Sequence, residues 1–187
     1  MIDKQRGYLS SNNMRELIRD NAMLLPAISR FNIAFGFGDS PVGQVCHDNG
    51  VDTDTFLCVC NLLSGYRYNG YSISLKSLMG YLRRAHTSFL DVAFPKIRHY
   101  LIDAINYSES NEAALLLMKF YDDYVIEVRR HMDYENDVIF EYVDRLLGGE
   151  VDEGFNIAKY SVSHVDTAAK LKEPVSYTHL TLPTSDL

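Results

Sequence analysis

Two long stretches of this chain repeat apolar residues at steps of three and four, a spacing that places side chains on one face of an α-helix. The first opens at Ser74, which suits an N-cap, and Pro95 is expected to kink it because proline lacks an N–H group. The second runs over residues 112–147 and ends at two glycines. The two faces comprise Leu75, Leu78, Leu82, His86, Phe89, Ala93, Ile97, Leu101 and Ile105, and Leu117, Tyr121, Tyr124, Val128, His131, Glu135, Ile139, Tyr142 and Leu146.

Shorter helices are predicted before these two. The pattern favours helix over residues 14–31, interrupted or restarted at Pro26, and over residues 42–49. A further short helix should begin after a cap at Asp52 or Thr53 and end near residue 63.

No stretch alternates like a strand, so the predicted fold class is all-α. A weaker helical pattern covers residues 155–172. The expected organisation is a small helical domain over residues 1–63, a linker over 64–73 and an antiparallel helical bundle over 74–173.

Charge and composition narrow the classes of partner. Asp and Glu number 25 against 18 Lys and Arg, and the net charge of -7 argues against a nucleic-acid partner. No apolar run approaches the roughly 20 residues of a membrane span, and no signal sequence opens the chain. Three cysteines provide no disulfide framework. The expected location is the cytoplasm.

Two members of the second apolar face are not apolar. His131 and Glu135 are four residues apart, so one lies above the other on the helix. A carboxylate on a core face costs several kcal/mol unless a partner compensates it. A metal ion would compensate both residues, whereas the simpler alternative is a surface glutamate paired with a partly buried histidine.

Two further histidines lie in helical segments, namely His86 on the first face and His164 in the weaker pattern. Imidazole and carboxylate groups that project inward from several helices are typical of a di-iron site in a bundle. The residues therefore predict metal ligation by His86, His131, Glu135 and His164. A histidine satisfied within the core is the alternative for His86, and His99 should face solvent.

The segment from His131 to Phe140, His-Met-Asp-Tyr-Glu-Asn-Asp-Val-Ile-Phe, resembles the H-x-x-x-E-x-x-x-x-F signature of hemerythrin-like (HHE cation-binding) domains. His86 ahead of Phe94-Pro95 resembles the first helix of that domain, and His164 resembles the histidine of its third helix. The resemblance implies a non-haem di-iron centre in which the histidines are terminal ligands and Glu135 bridges.

The N-terminal residues resemble a second domain. Residues 26–35, Pro-Ala-Ile-Ser-Arg-Phe-Asn-Ile-Ala-Phe, are similar to the N-terminal domain of the di-iron iron–sulfur cluster repair (RIC) family. That family carries a Cys-Cys pair where this chain has Gly36-Phe37, and Cys46 does not replace it by position. Thiol chemistry is therefore not expected here.

The end of the chain departs from the family. Residues 174–187 resemble a translated sequencing adapter, so His179 is assigned no role. The fourth helix of the family, with another histidine and carboxylate, is then missing. We expect this chain to bind iron weakly or not at all, a longer parent to bind two irons, and the uncovered apolar face to favour self-association.

The resemblance implies iron–sulfur cluster repair, or a response to nitric oxide or oxidative stress, with oxygen or nitric oxide as small ligands and damaged iron–sulfur proteins as partners. Whether the protein is an enzyme is left open. One alternative is a binding protein that senses oxygen, nitric oxide or redox state without turnover. Another is a metal-free helical interaction domain, which requires the buried histidine and glutamate to pair internally.

Overall fold

The computed structural model describes residues 7–106 and 112–150. Every regular element in these ranges is helical and none is a strand, so the predicted all-α class is confirmed. The chain forms two compact units, Met1–Glu141 and Tyr142–Leu187.

Short helices make up the N-terminal part. Asp52 caps the last of them, since its side chain accepts a hydrogen bond from the backbone N–H of Thr55 at 2.8 Å, as the sequence predicts. Pro26 lies in the first turn of the second helix, where a missing N–H has no intrahelical partner to lose. The helices are α1 (Met14–Asp20), α2 (Leu24–Arg30), α3 (Val42–Asp48) and α4 (Thr53–Leu63).

These helices enclose an apolar core that extends to the next helix, α5 (Leu75–Thr87). Tyr81 of α5 stacks on Phe31 with ring centroids 4.7 Å apart, and Phe31 also meets Phe56 edge to face. The largest apolar side chains of this core with no exposure are Tyr8, Phe56, Met14, Leu17, Leu24, Ile28 and Val42. The division into domains 1–63 and 74–173 stays a prediction.

A network of hydrogen bonds connects the segment around Tyr8 to α4. Asn61, fully buried, accepts a hydrogen bond from the Tyr8 backbone N–H at 2.6 Å. Its amide donates to the Tyr8 carbonyl at 3.2 Å and to the Tyr71 hydroxyl at 2.9 Å. The hydroxyls of Tyr8 and Tyr66 both donate to one oxygen of Asp20 at 2.7 Å. The oxygen and the nitrogen of the Asn61 amide thus both form hydrogen bonds.

The first long helical stretch is not a single α-helix. After α5 the backbone widens into a π-helical segment, Ser88–Ala93, and continues as α6 (Phe94–Asn106). The N–H of Phe94 bonds the carbonyl of Phe89, five residues earlier. Pro95 has no N–H and its ring clashes with the turn before it, so a wide turn there relieves the clash. The expected disturbance is therefore present, but it is a π segment that precedes Pro95.

The second long stretch begins and ends where the pattern predicts. It comprises α7 (Glu112–Tyr134), a second π-helical segment (Glu135–Ile139) and α8 (Phe140–Leu147). Gly149 follows with φ of 87°, a conformation that suits glycine. The second π segment has no counterpart in the pattern of apolar residues.

The ends of the two predicted apolar faces are more exposed than expected. Leu117 and Leu146 on the second face are 48% and 40% exposed, and Leu75 on the first is 49% exposed, whereas Val128 and Ile139 are buried. The turn over residues 107–111, the helix over 155–172 with His164, and the tail over 174–187 lie outside the described residues.

Candidate metal centre

Three of the four predicted ligands meet at one place. The Nε2 atom of His86 is 3.3 Å from Oε2 of Glu135, and Nε2 of His131 is 3.4 Å from Oε1 of the same carboxylate. The side chains of His86, Glu135 and His131 are 7%, 15% and 21% exposed. One largely buried carboxylate therefore presents a different oxygen to each of two imidazoles. His164 lies outside the described residues.

The helices explain why these side chains converge. His131 and Glu135 are four residues apart at the junction of α7 with the second π segment, so they lie on one face. His86 comes from the last turn of α5, which makes the site a contact between two helical stretches. The spacing of His131 and Glu135 predicted the first relation, and the shared apolar faces predicted the second.

Asn136 is the contact that the sequence analysis missed. Its Oδ1 lies 2.9 Å from Nδ1 of His86, on the side of the ring opposite Glu135. Consecutive residues of an α-helix lie about 100° apart around the axis. A Glu135 side chain that points into the site therefore gives no reason to expect that Asn136 points there too. The two residues open the second π segment, whose wider turn brings both to the same imidazole.

Phe140 covers the ring of His86. The two rings stack at an angle of 13° with centroids 5.8 Å apart. The guanidinium of Arg83, one turn before His86, lies 5.3 Å from the Phe140 ring centroid and donates to Glu141 at 3.4 Å. Phe140 thus covers one face of the largely buried His86, and Arg83 in turn contacts Phe140.

The separations can be compared with metal geometry. Two donors each about 2.1 Å from one ion lie about 3.0 Å apart at a right angle and about 3.4 Å apart at the tetrahedral angle. Each imidazole–carboxylate pair fits this spacing. Within residues 7–106 and 112–150, however, no group of three or more His, Cys, Asp or Glu side chains could hold a metal ion as it stands. Within these ranges the donor types and the pairwise distances are thus compatible with a metal ion, but the three side chains do not form a complete ligand group.

The other histidines and cysteines of the described ranges form no metal-binding group with this site. His99 is 71% exposed and lies 3.5 Å from Asp103, as expected of a surface residue. Cys46 and Cys60 are buried, and burial raises the pKa of Cys46 to about 12 and that of Cys60 further. Protonated, enclosed thiols are poor nucleophiles and poor metal ligands.

The chain matches no protein-family model, no curated protein and no solved structure. The hemerythrin-like resemblance therefore depends on the residues quoted above. Across the described residues, no helix combines the length and the apolar character that crossing a membrane requires.

Proposed function

We propose that this protein binds non-haem iron in the manner of hemerythrin-like domains, with His86, His131 and Glu135 as ligands. The observation that supports the proposal is the placement of two imidazole Nε2 atoms against the two oxygens of one carboxylate. His164 is proposed as a further ligand from the helix predicted over residues 155–172.

The chemistry of these donors favours iron. Neutral imidazoles and an anionic carboxylate together suit ferrous and ferric ions, which accept both nitrogen and oxygen donors. A carboxylate whose two oxygens face different histidines suits a bridging role between two ions, with each histidine terminal on one. When bound, iron would supply open coordination positions for oxygen or nitric oxide.

In this proposal the protein repairs iron–sulfur clusters or acts in the response to nitric oxide and oxidative stress. A sensor that binds oxygen or nitric oxide without turnover uses the same ligands. The two roles differ in their outcome, because a repair protein loaded with iron restores a damaged cluster enzyme, whereas a sensor changes its affinity for a partner with the oxidation state of the iron.

A metal-free role is the second candidate, and one observation favours it. Glu135 is compensated internally by two histidines at 3.3 and 3.4 Å, which is the condition that such a role requires. In that case the three residues serve only to pair with one another inside the fold. Both separations exceed the roughly 2.7–2.9 Å of a strong charge-assisted hydrogen bond, and this difference favours the metal.

Anaerobic titration with ferrous iron tests the proposal. Of the two outcomes that the sequence leaves open, weak binding and none, the convergence of His86, His131 and Glu135 favours weak binding. Glu135→Gln keeps the shape but removes the charge, and should lower the affinity by at least about tenfold. The matched control is Glu127→Gln, since Glu127 lies two turns earlier on α7, exposed and paired with Arg130.

Equal iron affinity in the wild type and Glu135→Gln would contradict the proposal, as would no binding in the wild type. The second result would leave the metal-free role. Iron content and the optical spectrum after air oxidation distinguish one ion from an oxo-bridged pair.

A further inference from the structure

We infer that Asn136 is a positioning residue that selects the protonation site of His86 and aims the other ring nitrogen at the metal. The inference rests on the proposed function for its consequence, but its structural part concerns the metal-free protein.

The ring of His86 lies between two acceptors. Asn136 Oδ1 is 2.9 Å from Nδ1, and Glu135 Oε2 is 3.3 Å from Nε2. A neutral imidazole carries one N–H and one lone pair, so it can donate to only one of these oxygens. The contact to Asn136 has the length of an ordinary hydrogen bond, whereas the contact to the Glu135 carboxylate is longer than the roughly 2.7–2.9 Å of a charge-assisted one. With the proton on Nδ1, the Nε2 lone pair points to the side of the ring where Glu135 lies.

The surroundings of His86 hold its ring in this orientation. Phe140 stacks on its face at 13°, and the side chain is only 7% exposed. Rotation of the ring by half a turn would remove Nδ1 from Asn136 and bring carbon atoms against the two oxygens. Asn136 reaches the ring because it opens the second π segment beside Glu135. The π segment therefore supplies the side chain that orients the His86 ring.

The position of the proton matters because an imidazole nitrogen binds a metal through its lone pair. A metal-binding histidine usually donates its other N–H to an acceptor, which fixes the tautomer and raises the basicity of the ligand nitrogen. Without Asn136, the proton should move to Nε2 and donate to the Glu135 carboxylate. That tautomer blocks both the histidine and the carboxylate oxygen as donors.

Nitrogen-15 NMR of the histidine rings in the metal-free full-length chain tests the inference. The nitrogen shifts distinguish the two neutral tautomers from the doubly protonated ring, and His86 is assigned with His86→Gln. We expect a proton on Nδ1 in the wild type. Asn136→Leu, which keeps the branching at Cγ but has no acceptor, should move it to Nε2, while Asn136→Asp, which keeps an acceptor, should leave it on Nδ1. Asn69→Leu, in an exposed loop, is the control for an asparagine-to-leucine change.

A proton on Nε2 in the wild type would overturn the inference without any variant, and so would an unchanged tautomer in Asn136→Leu. Ferrous iron alone is then titrated into the same proteins. We expect Asn136→Leu to lower the affinity about 10- to 100-fold. If the tautomer moves but no variant and no wild type binds iron, the proposed function fails while the positioning by Asn136 stands.

Discussion

Asn61 and Glu135 are both polar side chains that helices direct inward, yet their surroundings differ. The Asn61 amide is fully buried, and its contacts of 2.6, 3.2 and 2.9 Å use its oxygen and its amide group. Glu135 meets two imidazoles at 3.3 and 3.4 Å, longer than any of the Asn61 contacts. Neutral groups with full, short hydrogen bonds suit stability, whereas ionisable groups at longer range remain able to accept a ligand.

The largest effect should come from replacing Asn61. Asn61→Leu removes the acceptor of the buried Tyr8 N–H, which is left unsatisfied, whereas the Tyr8 carbonyl keeps the Tyr71 hydroxyl at 3.2 Å. The unsatisfied N–H costs about 1–3 kcal/mol and each of the two lost amide hydrogen bonds about 1 kcal/mol, so we expect the free energy of unfolding to fall by about 3 kcal/mol. Urea denaturation measures it, with Asn69→Leu as the exposed control. A loss below about 1 kcal/mol would mean that the network does not fix the N-terminal segment.

Tyr8 gives a smaller effect that depends on pH. The pKa of Tyr8 is raised, and the largest cause is burial of the phenol. The hydrogen bond to Asp20 and the charge of Asp20 raise this pKa further, whereas the hydrogen bond with Ser64 lowers it. The folded protein then holds the phenolic proton more tightly than the unfolded chain, whose tyrosine pKa is about 10. The stability that this proton contributes is complete below pH 10 and falls as the pH rises above it, by at most about 1.4 kcal/mol per pH unit.

Tyr8→Phe should remove that slope. At neutral pH we expect a loss of about 1.5 kcal/mol, because the hydrogen bonds to Asp20 and Ser64 disappear. Between pH 10 and 11 the variant should lose less stability than the wild type. Denaturation at pH 7, 10 and 11 measures both effects, and Tyr68→Phe, an exposed tyrosine, is the control. Parallel losses in wild type and Tyr8→Phe would show that other groups cause the alkaline decline.

The sequence predicted the helix caps and helix bounds that depend on neighbouring residues. The caps at Asp52 and Ser74 and the bounds of the second long stretch follow from neighbouring residues, and the structure has them. The second π segment contains no proline or glycine to mark it, and Asn136 was missed for that reason. The partner of Asn61 lies 53 residues away, a relation that no local pattern contains.

The smallest effect on stability should come from Glu135 itself, and it separates the two clusters most sharply. Exchange of a whole buried ion pair for apolar side chains is often neutral or stabilising, whereas removal of one partner is costly when it leaves a fixed charge unpaired. Glu135→Leu leaves two imidazoles, and an imidazole has an uncharged form that a lysine or arginine partner would lack. We therefore expect the free energy of unfolding to change by less than about 1 kcal/mol.

Urea denaturation at pH 8 measures this change, and Glu127→Leu on the exposed face of α7 is the control. A loss of about 3 kcal/mol, equal to that expected for Asn61→Leu, would place Glu135 with the structural polar groups and favour the metal-free role. A small loss together with impaired ferrous binding would mean that a carboxylate is kept at this position although stability does not need it. Retention of a charge that does not stabilise the fold is what a ligand site requires, because the protein must hold the carboxylate ready for an ion of opposite charge.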